Sequence, residues 1–197
     1  MKNRTTPVRR GMKIVCVSAA CGVFGAMTIG LGGCAAQRMS VRDATAQPVA
    51  GWEDQMPNTS RAGSYTFGGQ PTEEALEHYA AEGGSVVIDL RTHQGKDAAE
   101  FDESATAAAL GMDYLHLPMS SSTFSAADVD RFADALDNAA GPVLVHCGSS
   151  NRVGGMWAAY LAREQGWNTE KAIEAGKAAG MRSESVEEAV RRVIDEK

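Results

Sequence analysis

The stretch Val143-Leu144-Val145-His146-Cys147-Gly148-Ser149-Ser150-Asn151-Arg152 constrains this chain most, because an apolar run passes directly into a small polar loop and then into an amphipathic pattern. The run at 142–145 reads as a short strand buried on both faces, as in a parallel sheet. After the loop, Val153, Met156, Trp157, Tyr160 and Leu161 recur at helical spacing. Cys147 then stands at the carboxyl end of a strand and faces a helix N terminus. The N–H groups of Gly148, Ser149, Ser150 and Asn151 can converge on one anion, and the helix dipole adds positive potential there. Such a setting favours thiolate over thiol. Arg152 adds a planar fork that matches two oxygens of a tetrahedral anion while Cys147 attacks its central atom. The alternative for Cys147 is an inert small hydrophobe in the core.

Strand-like and helix-like segments alternate through the rest of the chain. Residues 64–67 read as an edge strand, followed by a Gly68-Gly69-Gln70-Pro71 turn. Thr72 reads as an N-cap with Glu73 and Glu74 in the first turn of a helix that Gly83-Gly84 ends. Residues 86–90 and 112–117 read as strands, and 98–110 as a helix. Ser125 caps a helix carrying Val129, Phe132, Ala133 and Leu136 on one face. Residues 169–195 read as two helices, with Ser185 and Glu188 as a capping box. The alternation predicts an α/β fold, a small, mostly parallel sheet of about four strands flanked by helices. Ligands in such sheets bind beyond the carboxyl ends of the strands. That rule places Asp89-Leu90-Arg91, the loop after Pro118 and the Cys147 loop on one rim.

The amino terminus carries Lys2, Arg4, Arg9, Arg10 and Lys13 ahead of an apolar stretch at 14–31, which is export-signal architecture. Leu31-Gly32-Gly33-Cys34 resembles a bacterial lipobox, whose cysteine is lipidated and becomes the first mature residue. An uncleaved membrane anchor is the alternative. The expected organisation is therefore a signal peptide at 1–33, a flexible tether at 34–61 and one domain at 62–197. The expected location is the cell envelope, on its periplasmic side, with the protein held to the membrane through Cys34. Cys16 and Cys21 lie in the removable segment, so Cys147 is expected to be the sole free thiol. All 25 acidic residues but only 14 of the 19 basic ones lie beyond Cys34, which makes nucleic acid an unsuitable partner. His78, His93 and His116 form no metal-ligand spacing with one another or with a cysteine, so neither a metal nor another cofactor is expected. Nothing in the sequence fixes an oligomeric state.

His146-Cys147, four residues and Arg152 together resemble the signature loop of the cysteine-dependent protein tyrosine and dual-specificity phosphatase superfamily. That superfamily usually has five residues between cysteine and arginine; four is the spacing of rhodanese-type sulfurtransferases. The chain is also similar to a bacterial phosphatase-like group, related to the extra domain of beta-lactamase hydrolase-like proteins, which has the shorter loop. Phe67-Gly68-Gly69-Gln70-Pro71-Thr72, Val86-Val87-Ile88-Asp89-Leu90-Arg91 and Tyr114-Leu115-His116-Leu117-Pro118 fit that group, so the resemblance spans roughly residues 62–195.

The resemblance implies hydrolysis of phosphomonoesters through a cysteinyl-phosphate, with Cys147 as nucleophile and Arg152 and the amides of residues 148–151 binding the phosphoryl oxygens. His146 resembles a residue that orders the loop and tunes the thiol. Asn151 is expected to hold the loop rather than to contact substrate. The superfamily's general acid, an aspartate upstream of the cysteine, has no counterpart in Met119-Ser120-Ser121-Ser122-Thr123-Phe124, which leaves Asp89 and Asp113 as candidates. Asp89 is expected chiefly to pair with Arg91 or loop amides. Val153 replaces the Ser or Thr that often follows the signature arginine. Two other readings stay open: a rhodanese-like sulfurtransferase carrying a persulfide on Cys147, and a phosphate- or phosphopeptide-binding module with little catalysis.

Overall fold

The computed structural model describes residues 41–97, 99–121 and 123–196, so the expected signal segment and the lipidation residue Cys34 lie outside the described residues. The elements run α1 (Val41–Ala44), β1 (Gln47–Pro48), β2 (Ser60–Ala62), β3 (Tyr65–Gly68), α2 (Glu73–Ala81), β4 (Val86–Asp89), α3 (His93–Asp97) and α4 (Glu103–Ala109). They continue with β5 (Asp113–His116), α5 (Ala126–Asp137), β6 (Val143–His146), α6 (Asn151–Arg163), α7 (Thr169–Ala178) and α8 (Glu184–Asp195). One sheet has the order β1-β2-β3-β6-β4-β5. The four expected strands β3, β6, β4 and β5 are parallel, and β1 and β2 add to them antiparallel.

Every residue of β4 and β6 is buried, as strands covered on both faces require. Alternation splits their side chains between two cores. Val86, Ile88, Val143 and Val145 face the layer that includes Phe132 of α5, Trp157 of α6, Ile173 of α7 and Val190 of α8. Val87 and Leu144 face a smaller layer formed by Leu76 and Tyr79 of α2, Ala107 of α4, and Trp52 and Met56.

Trp52 and Met56 correct the expectation of a tether through residue 61. They are 2% and 0% exposed. Trp52 stacks on His78 with ring centroids 4.6 Å apart, and the Trp157 indole N–H donates to the Ala44 carbonyl at 2.9 Å. The segment escapes sequence reading because its few large apolar residues follow neither a strand nor a helix period. One consequence is that β3, expected at the sheet edge, is internal, with β2 on one side and β6 on the other.

Two boundaries also differ. The helix expected over 98–110 is shorter: α4 starts only after Asp102, whose side chain accepts from the Ala105 N–H. Helix α8 starts at Glu184 with Ser183 as N-cap, so Ser185 lies inside its first turn. By contrast, Thr72 caps α2, and Ser125 with Asp128 forms a reciprocal capping box on α5.

Helix α6 is buried along Val153–Leu161 on all sides, which requires its neighbours to approach closely. At Gly154 an added Cβ would overlap the Gly176 carbonyl oxygen of α7, so α6 and α7 cross backbone to backbone. We predict that Gly154→Ala destabilises the protein by about 1–3 kcal/mol through overpacking, read as a lower urea midpoint with an unchanged slope.

Candidate active site

Beyond the end of β6 the chain forms a loop whose shape is imposed from both sides. The Cys147 N–H donates to Gly68 O at 3.3 Å, and Gly148 O accepts from Gln70 N at 3.4 Å. Gly69 and Ser149 form a bridge. On the far side, Ser150 is fully buried with a left-handed φ of 65°, and its hydroxyl donates to Ala179 O at 2.8 Å. That hydroxyl is thereby withdrawn from capping α6, which has no side-chain cap bond at its N terminus. The first N–H groups of a helix have no intrahelical acceptor, so the start of α6 keeps its donor character toward the loop.

Asn151 takes the loop-holding role expected of it. Its Oδ1 accepts from the N–H groups of Arg182 and Ser183 at 2.8 and 3.1 Å, and its Nδ2 donates to Ser183 Oγ at 2.9 Å. Arg182 returns the tie, donating from Nη1 to Ser149 O at 2.8 Å. Gly180 has φ 113° and passes so close to Ser150 that an added Cβ would lie 2.6 Å from the Ser150 Cβ. Residues 179–183 are therefore a wall of the site. Sequence reasoning missed them, and Gly180 followed two residues later by an arginine is the only local signal they offer.

Arg152 leaves the first turn of α6 and donates from Nη1 to Leu90 O and Met119 O, each at 3.3 Å. A Cβ added at Gly148 would sit 3.7 Å from Arg152 Nη2, so the other arm of the guanidinium lies against the residue that follows Cys147. Cys147 itself is 1% exposed, at the base of the loop. The three stretches predicted to share a rim do meet there: residues 89–91, the segment after Pro118, and the Cys147 loop.

Beneath the loop lies a buried polar cluster. Arg91 is 2% exposed and donates to both oxygens of Asp89, from Nε at 2.9 and 3.1 Å and from Nη2 at 2.7 Å. Its Nη2 also reaches Glu103 Oε2 at 2.5 Å, and its Nη1 hydrogen-bonds the Gln70 side chain. Tyr114 donates its hydroxyl to Asp89 at 2.7 Å. His146, fully buried, brings Nε2 to 2.6 Å from Glu103 Oε1, in ion-pair contact but off the line of the ring N–H, while Nδ1 has no hydrogen-bond partner. Burial pushes the Asp89 carboxyl up, but the Arg91 hydrogen bonds, the nearby His146 and the Tyr114 hydroxyl outweigh it and hold the group below its ordinary range. Asp89, Glu103 and His146 bring ligand atoms within 4.8 Å of one another, yet Arg91 already supplies the positive charge that both carboxylates require.

Neither candidate acid is placed for that role. Asp113 is exposed at the first position of β5, paired with Val86, and thus about 10 Å down the strand from the functional rim. Asp89 is fully buried and bound on both oxygens, so it holds no proton to give. Glu103 went unnoticed in the sequence because it sits in an alanine-rich stretch where a carboxylate reads as a solvated helix residue.

The Asp89 pairing generates a pH prediction. A carboxyl held below its unfolded value contributes stability that is present above about pH 4 and is lost as pH falls through the folded value. Asp89→Asn should cost about 3–5 kcal/mol at pH 7, because Arg91 keeps an incompletely paired buried charge. It should also flatten the acid limb of stability against pH, as measured by urea unfolding between pH 7 and pH 2.

Solved structures share the fold. TpbA of P. aeruginosa, solved alone and with phosphotyrosine, superposes with a TM-score of 0.60 at 22% identity over 77% of this chain and 89% of that one. The active form of Tk-PTP gives a TM-score of 0.57 at 18% identity, covering 68% of this chain and 94% of that one. A beta-lactamase hydrolase-like protein of Agrobacterium fabrum is 32% identical over 90 residues, 44% of this chain and 21% of the relative, so the match spans about a fifth of that longer protein. The fold is that of the protein tyrosine and dual-specificity phosphatases. Residues 40–192 match the family model PTP-NADK, described as a DSP-PTPase phosphatase fused to NAD+ kinase, and the chain belongs to that family.

Proposed function

We propose that the protein is a cell-envelope phosphatase that hydrolyses phosphomonoesters through a cysteinyl-phosphate on Cys147. The observation that carries this reading is Arg152. One arm of its guanidinium is fixed on Leu90 O and Met119 O while the other lies against Gly148, next to the nucleophile. In the first step the Cys147 sulfur attacks phosphorus, an S–P bond forms and the P–O bond to the leaving group breaks. Arg152 and the loop amides hold the equatorial oxygens where charge develops. The leaving oxygen takes its proton from solvent, because no carboxylate occupies residues 119–124. Water then attacks phosphorus, the S–P bond breaks, and phosphate departs. Val153 is buried and has no hydroxyl to assist the departing thiolate. Turnover is thus expected to be fast only for good leaving groups.

The test uses the full-length chain with a series of aryl phosphates of differing leaving-group acidity. Arg152→Lys should keep the fold and weaken vanadate binding roughly 10- to 100-fold, the equivalent of one charge-assisted hydrogen bond. Cys147→Ser should abolish turnover and retain anion binding. Vanadate binding without any turnover would favour the binding-module reading, and cyanide-dependent consumption of thiosulfate would favour sulfur transfer. If no tetrahedral anion binds by calorimetry, the cradle is not a ligand site.

The location belongs to the same proposal and rests on Leu31-Gly32-Gly33-Cys34 after the apolar stretch. Among the described residues no helix is long and apolar enough to cross a membrane. Labelled fatty acid should be incorporated by the wild type and not by Cys34→Ser. A wild type that takes up no label and retains its first 33 residues would instead be held by an uncleaved segment.

A further inference from the structure

The edge of the sheet at β5 has features that the reaction above does not use. The N–H groups of Asp113 and Leu117 donate to the carbonyls of Ser85 and Asp89, so alternation along the strand turns the backbone groups of Tyr114 and His116 away from β4. The side chains of these two residues are engaged elsewhere, the Tyr114 hydroxyl on Asp89 and the His116 ring on the Arg91 carbonyl. What they present at the edge is therefore backbone. The opposite edge of the sheet is different, because β1 has two residues and one of them, Pro48, has no N–H to offer.

Beside this edge, between β5 and α5, lies a groove of about 520 Å³. Leu115, Leu117, Ala135 and Ala139 form its apolar part, and Leu115, at 37%, is the one exposed large hydrophobic residue among the described residues. Asp113 and Asp134 line it too, and among the described residues neither carboxylate has a hydrogen bond or an ion pair. Arg131, the remaining charge in the groove, is paired with Asp128 of its own helix. The groove is thus apolar and negatively charged at once. A second copy of the chain is a poor occupant, because each copy would bring its own Asp113 and Asp134 toward those of the other.

We propose that β5 and this groove form a docking surface for an extended, basic segment of a partner protein, which adds to the sheet as a further strand. An added strand lies about 4.8 Å from β5 and takes the outward backbone groups of Tyr114 and His116 as hydrogen-bond partners. Its side chains alternate between the two faces, so every second one falls on the α5 face, over the groove. An aliphatic residue at one of these positions covers Leu115, and a lysine or arginine at the next meets Asp113 or Asp134. Backbone bonding supplies the attachment, and the alternate side chains supply the selectivity. Three residues beyond β5 stands Met119, whose carbonyl holds Arg152, so the docked segment lies next to the Cys147 site without entering it.

The experiment follows the fluorescence anisotropy of a labelled, end-blocked peptide, Lys-Thr-Leu-Thr-Lys-Thr, on titration with the full-length chain at low salt. A control peptide has glutamate in place of both lysines. No turnover is needed, so the outcome is separate from the fate of the phosphatase reading. The lysine peptide should bind and the glutamate peptide should not. Asp113→Asn combined with Asp134→Asn should weaken the lysine peptide about 5- to 10-fold, as the loss of two exposed ion pairs implies. Added salt should act in the same direction. Leu115→Lys, a change at an exposed position, should abolish binding while leaving the circular dichroism spectrum as it is. Absence of binding by the lysine peptide, equal binding of the two peptides, or wild-type affinity in Leu115→Lys would overturn the proposal. So would a dimer in light scattering that Leu115→Lys dissolves, since a second copy would then occupy the groove.

Discussion

The buried guanidinium of Arg91 is the contact on which the functional end of this fold depends. It joins the carboxyl end of β4 to the first residue of α4 through Asp89 and Glu103, and to the turn after β3 through Gln70. Those three places meet at the rim of the sheet, next to the Cys147 loop. A charged group in that position has no advantage over a hydrophobic one in stability alone. Its usefulness is geometric. Arg91 fixes Leu90 beside it, and the Leu90 carbonyl in turn takes both Met119 N–H and Arg152 Nη1. The anion-binding arginine is thus oriented by backbone that the buried cluster holds in place.

The Cys147 loop is built on the same plan, with rigidity supplied from outside its own short sequence. A loop containing Gly148 and a left-handed Ser150 is flexible by composition. Here it is bonded to residues 68–70 on one side and 179–183 on the other. The backbone-close packing of α6 on α7 makes the second set possible, because it brings the end of α7 within reach of Ser150 and Asn151. Preorganisation of this kind matters for a site whose task is to stabilise charge on a transferring group.

The central four strands, helices α2 and α5 to α8, and the cysteine loop were legible in the sequence because each rests on local pattern: apolar runs, caps and one helical period. What was not legible arises from contacts between distant residues. Trp52 and Met56 sit among Asn, Pro and Gly, and only the pocket offered by α2 and β3 turns that stretch into structure. Glu103 and Arg182 are charged residues whose partners lie 43 and 33 positions away, at His146 and Ser149. Asp113 was considered for chemistry from its residue type, although the strand expected over 112–117 already put it at the amino end of β5, away from the functional rim.

The antiparallel pairing of β2 with β3 bears on how much of the chain must be kept together. Strand β2 covers the ladder of β3, and Trp52 and Met56 cover the layer beneath it. A fragment beginning at residue 62 would bare a row of unpaired N–H and C=O groups along β3, flanked by newly uncovered apolar surface. Open edges of that kind template strand addition from neighbouring copies. Such a fragment is expected to self-associate, whereas a chain retaining residues 41–61 carries its own cover. The short amino-terminal strap thereby acts as a guard against aggregation.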